Sequence, residues 1–261
     1  MEAASTPADA GGAAWTRMLA NMAGVFASLA RHSAGGRVLE LEGVSAAVVP
    51  TCPDRSVVNC VVYSDAVALG AALDELAAEY ERAGVRAWTV WVPEHDGESA
   101  ELLERAGHTF DAKPTAMVRE LEDFDASPPG GLDLAEPDII EAGRRNDAAY
   151  GFAGDFERAF HSVPPPPAYL YIGRMDGVPA STVLTYEEDG ECGIYLVATR
   201  PEARGRGLAT ALMTHALVEA RARGCTTTSL QATMRGRPLY ERLGYRDIGA
   251  VHMWERRRPR T

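Results

Sequence analysis

Two six-residue segments far apart in the chain carry nearly the same sequence. Residues 102–107 read LLERAG and residues 239–244 read LYERLG, so a leucine, a glutamate, an arginine and a glycine coincide. Upstream of each segment lies a helical pattern that ends at a glycine, Gly84 or Gly224, and is followed by a strand pattern. A shared order of elements around a shared segment favours duplication of one fold. The chain of 261 residues is therefore expected to fold as two similar halves.

A short stretch rich in proline and glycine, residues 126–131 (ASPPGG), lies between the halves and has the composition of a linker. We expect a first domain over residues 1–125 and a second over residues 132–261. In both, apolar β-branched segments alternate with amphipathic helical patterns, which predicts the α/β class. Asp65 and Ser99 are the predicted N-caps of two helices in the first half.

The charge balance is acidic, because 26 lysines and arginines face 37 aspartates and glutamates and give a formal net charge of -11. Nucleic-acid binders and polybasic membrane-surface proteins are expected to be basic, so both classes are disfavoured. The arginine-rich residues 256–260 are interpreted as a solvated tail. No apolar run approaches the roughly 20 residues that a membrane-spanning helix needs, and we expect no membrane partner.

The cysteines are widely spread and include no C-x-x-C pair, which argues against a structural zinc site and a dense disulfide framework. Free thiols in a reducing compartment are the simpler interpretation. The first residues lack the basic and apolar segments of a secretory signal. We therefore expect a cytoplasmic protein without a bound metal. The cysteines are Cys52, Cys60, Cys192 and Cys225.

The strongest chemical signal is the segment VATRPEARGRGLA at residues 197–209, where a strand pattern enters a glycine-bearing turn that opens into a helix. Main-chain N–H groups at a helix N-terminus have no partner within the helix, and the helix dipole adds positive potential there. Glycine removes the side chain that would keep an anion away. Arg204 and Arg206 add positive charge. The pattern predicts a pyrophosphate-binding turn.

Two common nucleotide-binding patterns do not fit this turn. The dinucleotide fingerprint G-x-G-x-x-G needs a third glycine where Thr210 stands. The P-loop pattern needs a lysine, and the single lysine of the chain, Lys113, lies in the other half. Both nucleotide-binding interpretations therefore fail.

The turn instead resembles that of the GNAT superfamily of acyl-CoA-dependent N-acyltransferases. Residues 204–209 (RGRGLA) match its Q/R-x-x-G-x-G/A motif, and residues 239–245 (LYERLGY) resemble its YE-x-LG(F/Y) segment near the domain end. The resemblance covers roughly residues 132–255. The first half resembles the family only through the repeat and lacks the glycine motif after Asp65, so it is interpreted as a degenerate copy. The whole chain is similar to tandem-GNAT proteins with one working domain.

The resemblance implies a mixed, mostly antiparallel sheet flanked by helices in each half, and acetyl-CoA as the co-substrate of the second half. It places the CoA pyrophosphate on main-chain N–H groups of the turn and the pantetheine arm along the preceding strand, as an added strand would lie. A main-chain N–H of that strand can also stabilise the oxyanion of the tetrahedral intermediate. The residues that correspond to this site are Leu196, Val197, Ala198, Thr199, Arg204, Gly205, Arg206, Gly207, Leu208, Ala209 and Thr210.

Tyr240 stands where many GNAT enzymes have a tyrosine that protonates the departing CoA thiolate. A phenol with a pKa of ~10 can serve as that proton donor. The alternative is a tyrosine that only packs its ring. The acceptor site and the general base are less defined, since the candidate aromatic residues could equally be core and the candidate bases solvated charges. The acceptor candidates are Tyr150, Phe152, Phe156, Asp155 and Tyr195, and the base candidates are Glu187, Glu188, Glu191, Asp155 and His161.

These observations predict an acyl-CoA-dependent N-acyltransferase that moves an acetyl group directly from acetyl-CoA to a primary amine of a small molecule or peptide. Cys192 and Cys225 have no histidine nearby in sequence, which disfavours an acyl-cysteine route. The first half would be a scaffold and one wall of the acceptor cleft. Two alternatives stay open: a non-catalytic acyl-CoA-binding sensor or scaffold, and a partner-binding protein with two inert halves. The acceptor and the oligomeric state are left open.

Overall fold

Within residues 7–126, 130–152 and 154–259, which the computed structural model describes, twelve strands join in one mixed sheet. The strands are β1 (Arg37–Leu41), β2 (Val44–Val48), β3 (Cys60–Tyr63), β4 (Ala87–Pro93), β5 (Thr109–Ala112), β6 (Thr115–Glu120), β7 (Leu134–Ala135), β8 (Ala168–Met175), β9 (Val178–Glu188), β10 (Glu191–Thr199), β11 (Thr227–Ala232) and β12 (Arg246–Arg257). They follow the order β1-β2-β3-β4-β12-β6-β11-β10-β9-β8-β7, with β5 paired to β12 beside this path. The pairs β3–β4 and β10–β11 are parallel and the other neighbours run antiparallel.

Helices cover both faces of the sheet, because successive strand side chains point to opposite faces. The helices are α1 (Pro7–Arg31), α2 (Ala66–Arg82), α3 (Gly97–Arg105), α4 (Ile139–Tyr150), α5 (Asp155–Ala159), α6 (Leu208–Ala222) and α7 (Arg237–Arg242). One face carries α1, α4 and α5 over a single apolar core. The other face carries two cores, one under α2 and α3 and one under α6 and α7. Ala46 and Ala47 of β2 show the alternation, since Ala46 lies in the α2 core and Ala47 in the α1 core.

The two halves exchange strands. β6 comes from the first half of the chain but lies between β11 and β12, so it completes the sheet of the second half. Conversely, the last part of β12, which belongs to the second half, pairs with β4 and β5 of the first half. Ala250 pairs with Thr115 and Trp254 pairs with Phe110, so β12 runs antiparallel to β6 and β5 in turn. The expectation of a mixed sheet in each half is therefore corrected: the strands form one continuous sheet, in which each half contributes a strand to the part formed by the other.

α1 also ties the halves together, because its apolar face packs on strands of both. Met18 and Met22 are fully buried in a core that contains Cys60 of β3 and Leu184 of β9. The Asn21 side chain donates a hydrogen bond to the carbonyl of Tyr186 at 3.0 Å. Burial of one such apolar side chain contributes about 1.5–3 kcal/mol, so this core alone couples the stability of the two halves.

Local sequence signals are confirmed at one predicted cap and wrong at the other. Asp65 caps α2, and its carboxylate accepts a hydrogen bond from the Ala68 N–H at 2.9 Å. α3 is capped by Asp96, which accepts from the Ser99 N–H at 3.0 Å, whereas Ser99 itself is buried within the helix. An aspartate three residues before Ser99 reaches the orphan N–H, so the serine can point into the core.

The predicted solvated tail is also corrected. Arg256 and Arg257 belong to β12, and Arg257 donates two hydrogen bonds to Glu255. Arg258 donates to the Val85 carbonyl at 2.7 Å and pairs with Glu81 at 2.7 Å. These arginines anchor the exchanged strand on the first half. Residues 127–129 of the predicted linker and Arg260 of the predicted tail lie outside the described residues.

The cysteines are free and buried. The described residues hold no cluster of three His, Cys, Asp or Glu side chains that could bind a metal ion. Among the described helices, none has the length and apolar character that crossing a bilayer requires.

Candidate active site

β10 and β11 lie side by side only over their first residues. Their register pairs end at Ile194 and Leu230, although both strands continue beyond this point. On its other side β10 stays paired with β9 through an irregularity at residues 195–198. Leu196 has a φ of +49°, a left-handed conformation that is strained for a non-glycine residue, and its carbonyl accepts a hydrogen bond from Thr182 at 2.9 Å. The separation leaves a strand edge to which an extended chain can add.

The turn after β10 leads into the N-terminus of α6. Gly205 and Gly207 have φ values of +72° and +79°, a left-handed backbone conformation that favours glycine. Gly207 is the N-cap of α6, and no side chain bonds to the first N–H groups of this helix. A Cβ atom built on either glycine meets no atom within 4 Å, so the turn faces open space. An uncapped helix N-terminus with this approach can bind a phosphate group.

Two arginines flank this turn and are free to move toward a ligand. Arg204 is exposed, and its Nε donates to the Thr199 carbonyl at 3.1 Å. Arg206 is more than half exposed and makes a loose pair with Asp176 at 3.6 Å. Exposed ion pairs of this kind contribute little to stability, so an anionic ligand can replace the aspartate at small cost. Leu208 differs from its neighbours because its side chain is buried, which leaves only its main chain for a ligand.

The corresponding places in the first half are closed. The helix α2 begins with Asp65, whose carboxylate already occupies the position that an anion would take. This hydrogen bond to the Ala68 N–H lowers the pKa of Asp65, so the carboxylate stays charged and repels a second anion. Leu103 stands at the repeat position of Tyr240 and is fully buried in the α2 core. A leucine cannot donate a proton.

Tyr240 lies on α7 with 8% of its surface exposed. A Cβ on Gly236 would lie 3.1 Å from its ring, so this glycine makes room for the tyrosine. Burial raises the pKa of Tyr240, and the neighbouring Tyr150 adds to the rise. The phenol therefore keeps its proton at neutral pH and can donate it to a strong base formed beside it.

The structure places the predicted acceptor residues in different environments. Tyr150 and Phe152 are 51% and 41% exposed at the end of α4, and Tyr150 is close enough to Tyr240 to affect its pKa. Asp155 pairs with Arg158. Tyr195 lies beneath α1, where its hydroxyl donates to Asn21 at 2.8 Å. Tyr150 and Phe152 thus remain available to a ligand.

The other candidates have structural partners. Phe156 is buried in the core under α4 and α5. Glu187 accepts from Arg223 at 2.6 Å, and Glu191 is buried with Arg17 at 3.8 Å. Glu188 has a pKa that burial raises, and His161 is exposed. No one of these groups is singled out as the general base by its contacts.

Sequence reasoning missed Arg55. This residue lies in the loop between β2 and β3 of the first half, yet it is 2% exposed and forms an ion pair with Asp147 of α4. A single arginine in a loop has no period or motif that would distinguish it from a solvated charge. Its importance depends on a contact between residues 92 positions apart.

A parallel strand pair that separates beside an uncapped glycine turn is the arrangement that the resemblance to the GNAT superfamily implies. Residues 133–245 match the profile of the acetyltransferase (GNAT) family. No curated protein sequence matches the chain.

Solved structures share the fold over most of the chain. A GCN5-related N-acetyltransferase from Kribbella flavida is 21% identical, with a TM-score of 0.63, and the match covers 91% of this chain and 95% of that one. A conserved protein of unknown function from Staphylococcus epidermidis is 14% identical with a TM-score of 0.61, covering 86% and 95%. A GCN5-related N-acetyltransferase from Sphaerobacter thermophilus is 21% identical with a TM-score of 0.54, covering 84% and 78%. At these identities the likeness establishes the fold.

Proposed function

We propose that the protein is an acyl-CoA-dependent N-acetyltransferase, which transfers the acetyl group of acetyl-CoA directly to a primary amine of a small molecule or peptide. The observation that carries this proposal is the continuity between the open edge of β10 and the uncapped N-terminus of α6. A long ligand with an anionic group at one end and an amide-containing arm fits both features at once.

Acetyl-CoA is such a ligand, and the chain offers a place for each of its parts. Main-chain N–H groups of residues 205–210 would hold the pyrophosphate, with Arg204 and Arg206 beside it. The edge of β10 at residues 196–199 would bond the pantetheine amides. The acyl group would then lie where β10 and β11 separate.

Direct transfer fits the state of the cysteines. Cys192 is fully buried, and burial raises the pKa of the Cys192 thiol well above its usual range. Burial raises the pKa of Cys225 to about 12. A thiol that stays protonated is a poor nucleophile, so neither residue supports an acyl-cysteine intermediate.

Tyr240 is proposed as the proton donor. The amine attacks the thioester carbonyl, the tetrahedral intermediate loses CoA as a thiolate, and the Tyr240 phenol protonates the sulfur. Burial raises the pKa of the phenol, and the same low-dielectric surroundings raise the basicity of the thiolate formed beside it, so the two shifts offset each other in the proton transfer. The attacking nitrogen is positively charged in the intermediate and releases a proton as the amide forms, and the phenolate takes up this proton directly or through solvent.

The first half is proposed to be a degenerate copy that supports the second. The capped α2 and the buried Leu103 argue that it binds no CoA of its own. Its strand β6 completes the sheet next to β11, so it supports the strand that borders the acyl position.

Two measurements on the full chain test this proposal. Calorimetric titration with acetyl-CoA should give a stoichiometry near one. Release of free thiol from acetyl-CoA should then depend on an added primary amine. Binding without thiol release for any amine would favour the alternative, a non-catalytic acyl-CoA sensor or scaffold. Absence of acetyl-CoA binding would overturn both.

A further inference from the structure

A buried ion pair joins the first half to the acceptor side of the second. Arg55 and Asp147 have side chains 2% and 3% exposed, and they bond through Nη1 and Oδ1. The other end of the guanidinium, Nη2, donates to Asn146 at 2.5 Å. Arg55 lies in a loop of the first half and thus donates hydrogen bonds to two consecutive residues of α4.

The same guanidinium contacts two aromatic rings. Its Cζ lies 3.9 Å from the ring centre of Phe152 and 4.5 Å from that of Phe156. A guanidinium over an aromatic face is attracted electrostatically by the ring quadrupole. Arg55 therefore contacts residues on both sides of the turn between α4 and α5.

Asp147 also accepts hydrogen bonds from two main-chain N–H groups near the turn between α4 and α5. Its second carboxylate oxygen accepts from the Phe156 N–H at 3.1 Å, and its carbonyl accepts from the Phe152 N–H at 2.9 Å. The intervening turn contains Gly151 and Gly154, both in the left-handed region at φ +76° and +72°. Glycine is the residue that adopts this backbone conformation most readily, and the contacts of Arg55 and Asp147 hold the residues on both sides of the two glycines.

A buried ion pair contributes little net stability, because the free-energy cost of removing two charges from water offsets much of their mutual attraction. Apolar side chains would fill the same space at no such cost. The guanidinium is planar and its N–H donors have a fixed geometry, so its contacts fix the relative positions of Asn146, Asp147 and the two phenylalanine rings.

We propose that Arg55 is a positioning residue, which sets the conformation of the α4–α5 segment (residues 146–152 and 154–156) and so fixes the positions of Tyr150 and Phe152, the two residues assigned to the acceptor wall. The inference rests on the proposed function, since it assigns a role at that site. It gives the first half a defined part in acceptor recognition, exerted through one side chain.

The test uses a paired substitution in the full chain. Arg55→Met alone leaves the Asp147 charge buried and unpaired, so it is expected to destabilise the fold. Arg55→Met with Asp147→Asn removes both charges, leaves an amide oxygen that can still accept from the Phe156 N–H, and is expected to restore a cooperative thermal transition close to that of the wild type. The matched control is Arg145→Met with Glu141→Leu, which removes an ion pair within α4 itself.

Hydrogen–deuterium exchange gives a readout that does not need an acceptor. In the folded double variant, the amide exchange rate of the α4–α5 segment should be at least about tenfold faster than in the wild type. In the control double variant this rate should be unchanged. Wild-type exchange of this segment in the double variant would overturn the proposal.

Kinetics give the second readout, with phenethylamine, spermidine and kanamycin as acceptor probes. For the probe that the wild type uses best, the double variant should raise the acceptor KM about 10²-fold with the acetyl-CoA Kd unchanged. An unchanged acceptor KM would overturn the assigned role at the site. If the wild type releases no thiol with any probe, the proposed function fails on that result, and the exchange experiment still decides whether Arg55 positions the segment.

Discussion

The ring of Tyr240 packs edge-on against that of Tyr245, with the ring centres 6.0 Å apart, and the two hydroxyls have different environments. The Tyr245 hydroxyl is hydrogen-bonded to the Thr228 hydroxyl at 2.9 Å inside the core. The Tyr240 hydroxyl forms no protein hydrogen bond within the described residues. The Tyr245 hydroxyl is therefore held by a structural hydrogen bond, while the Tyr240 hydroxyl is free to take part in the proposed proton transfer.

Tyr240→Phe should lower kcat by about 10²–10⁴-fold and leave the Kd for acetyl-CoA nearly unchanged, because proton donation to the leaving thiolate occurs only in the transition state. Steady-state kinetics and calorimetry check both values. Tyr245→Phe is the matched control, and it should cost about 1 kcal/mol of stability with kcat retained. An unchanged kcat in Tyr240→Phe would assign the acid role to water or another group.

Gly207→Asp should weaken acetyl-CoA binding by about tenfold more than Gly207→Asn, because both side chains tolerate the left-handed backbone but only the aspartate brings a negative charge to the phosphate position. Titration calorimetry of the two variants measures the difference. The difference in acetyl-CoA affinity between the two variants should become smaller at high salt, because part of it is electrostatic. Equal affinities would place the pyrophosphate elsewhere.

His108 should make the protein lose stability in mild acid. Burial lowers the pKa of His108 to about 4 against Trp88, and Arg256 adds to the effect. Because the folded pKa lies below the unfolded value, the stabilising effect is full above pH ~6.5 and is lost as the pH falls from there toward 4. Between pH 7 and pH 5 the wild type should lose about 2 kcal/mol more than His108→Phe, measured by urea unfolding. Parallel losses in both proteins would show that His108 does not titrate in this way.

Residues 132–261 expressed alone should aggregate, because the fragment lacks β6. Its absence exposes the edge of β11 and the apolar residues that Met117 of β6 covers in the full chain. The same fragment expressed together with residues 1–126 should form a soluble complex, since the exchanged strands can pair between the two pieces. Size-exclusion chromatography distinguishes these outcomes. A monomeric fragment with a cooperative melting transition would mean that the exchange is dispensable.

Much of the candidate cofactor site follows from short stretches of sequence. The glycine turn at residues 204–209 combines backbone freedom with a helix start, and both properties depend on neighbouring residues only. The same is true of the Asp65 cap. Local physics of this kind is encoded within a few residues, so it can be read without knowing the rest of the fold.

The sequence by itself thus determined the glycine turn before α6 and the Asp65 cap of α2, while the repeat of the two halves stays a prediction from sequence. Only the tertiary structure decided which strands pair. It also decided that Arg55 bonds to α4 and that Tyr195 lies beneath α1. A strand pattern gives the face that is buried but not the neighbour, since pairing energy depends on side chains from distant parts of the chain. A charged loop residue likewise shows no local sign of burial, because its partner is supplied by another element when the two halves close on each other.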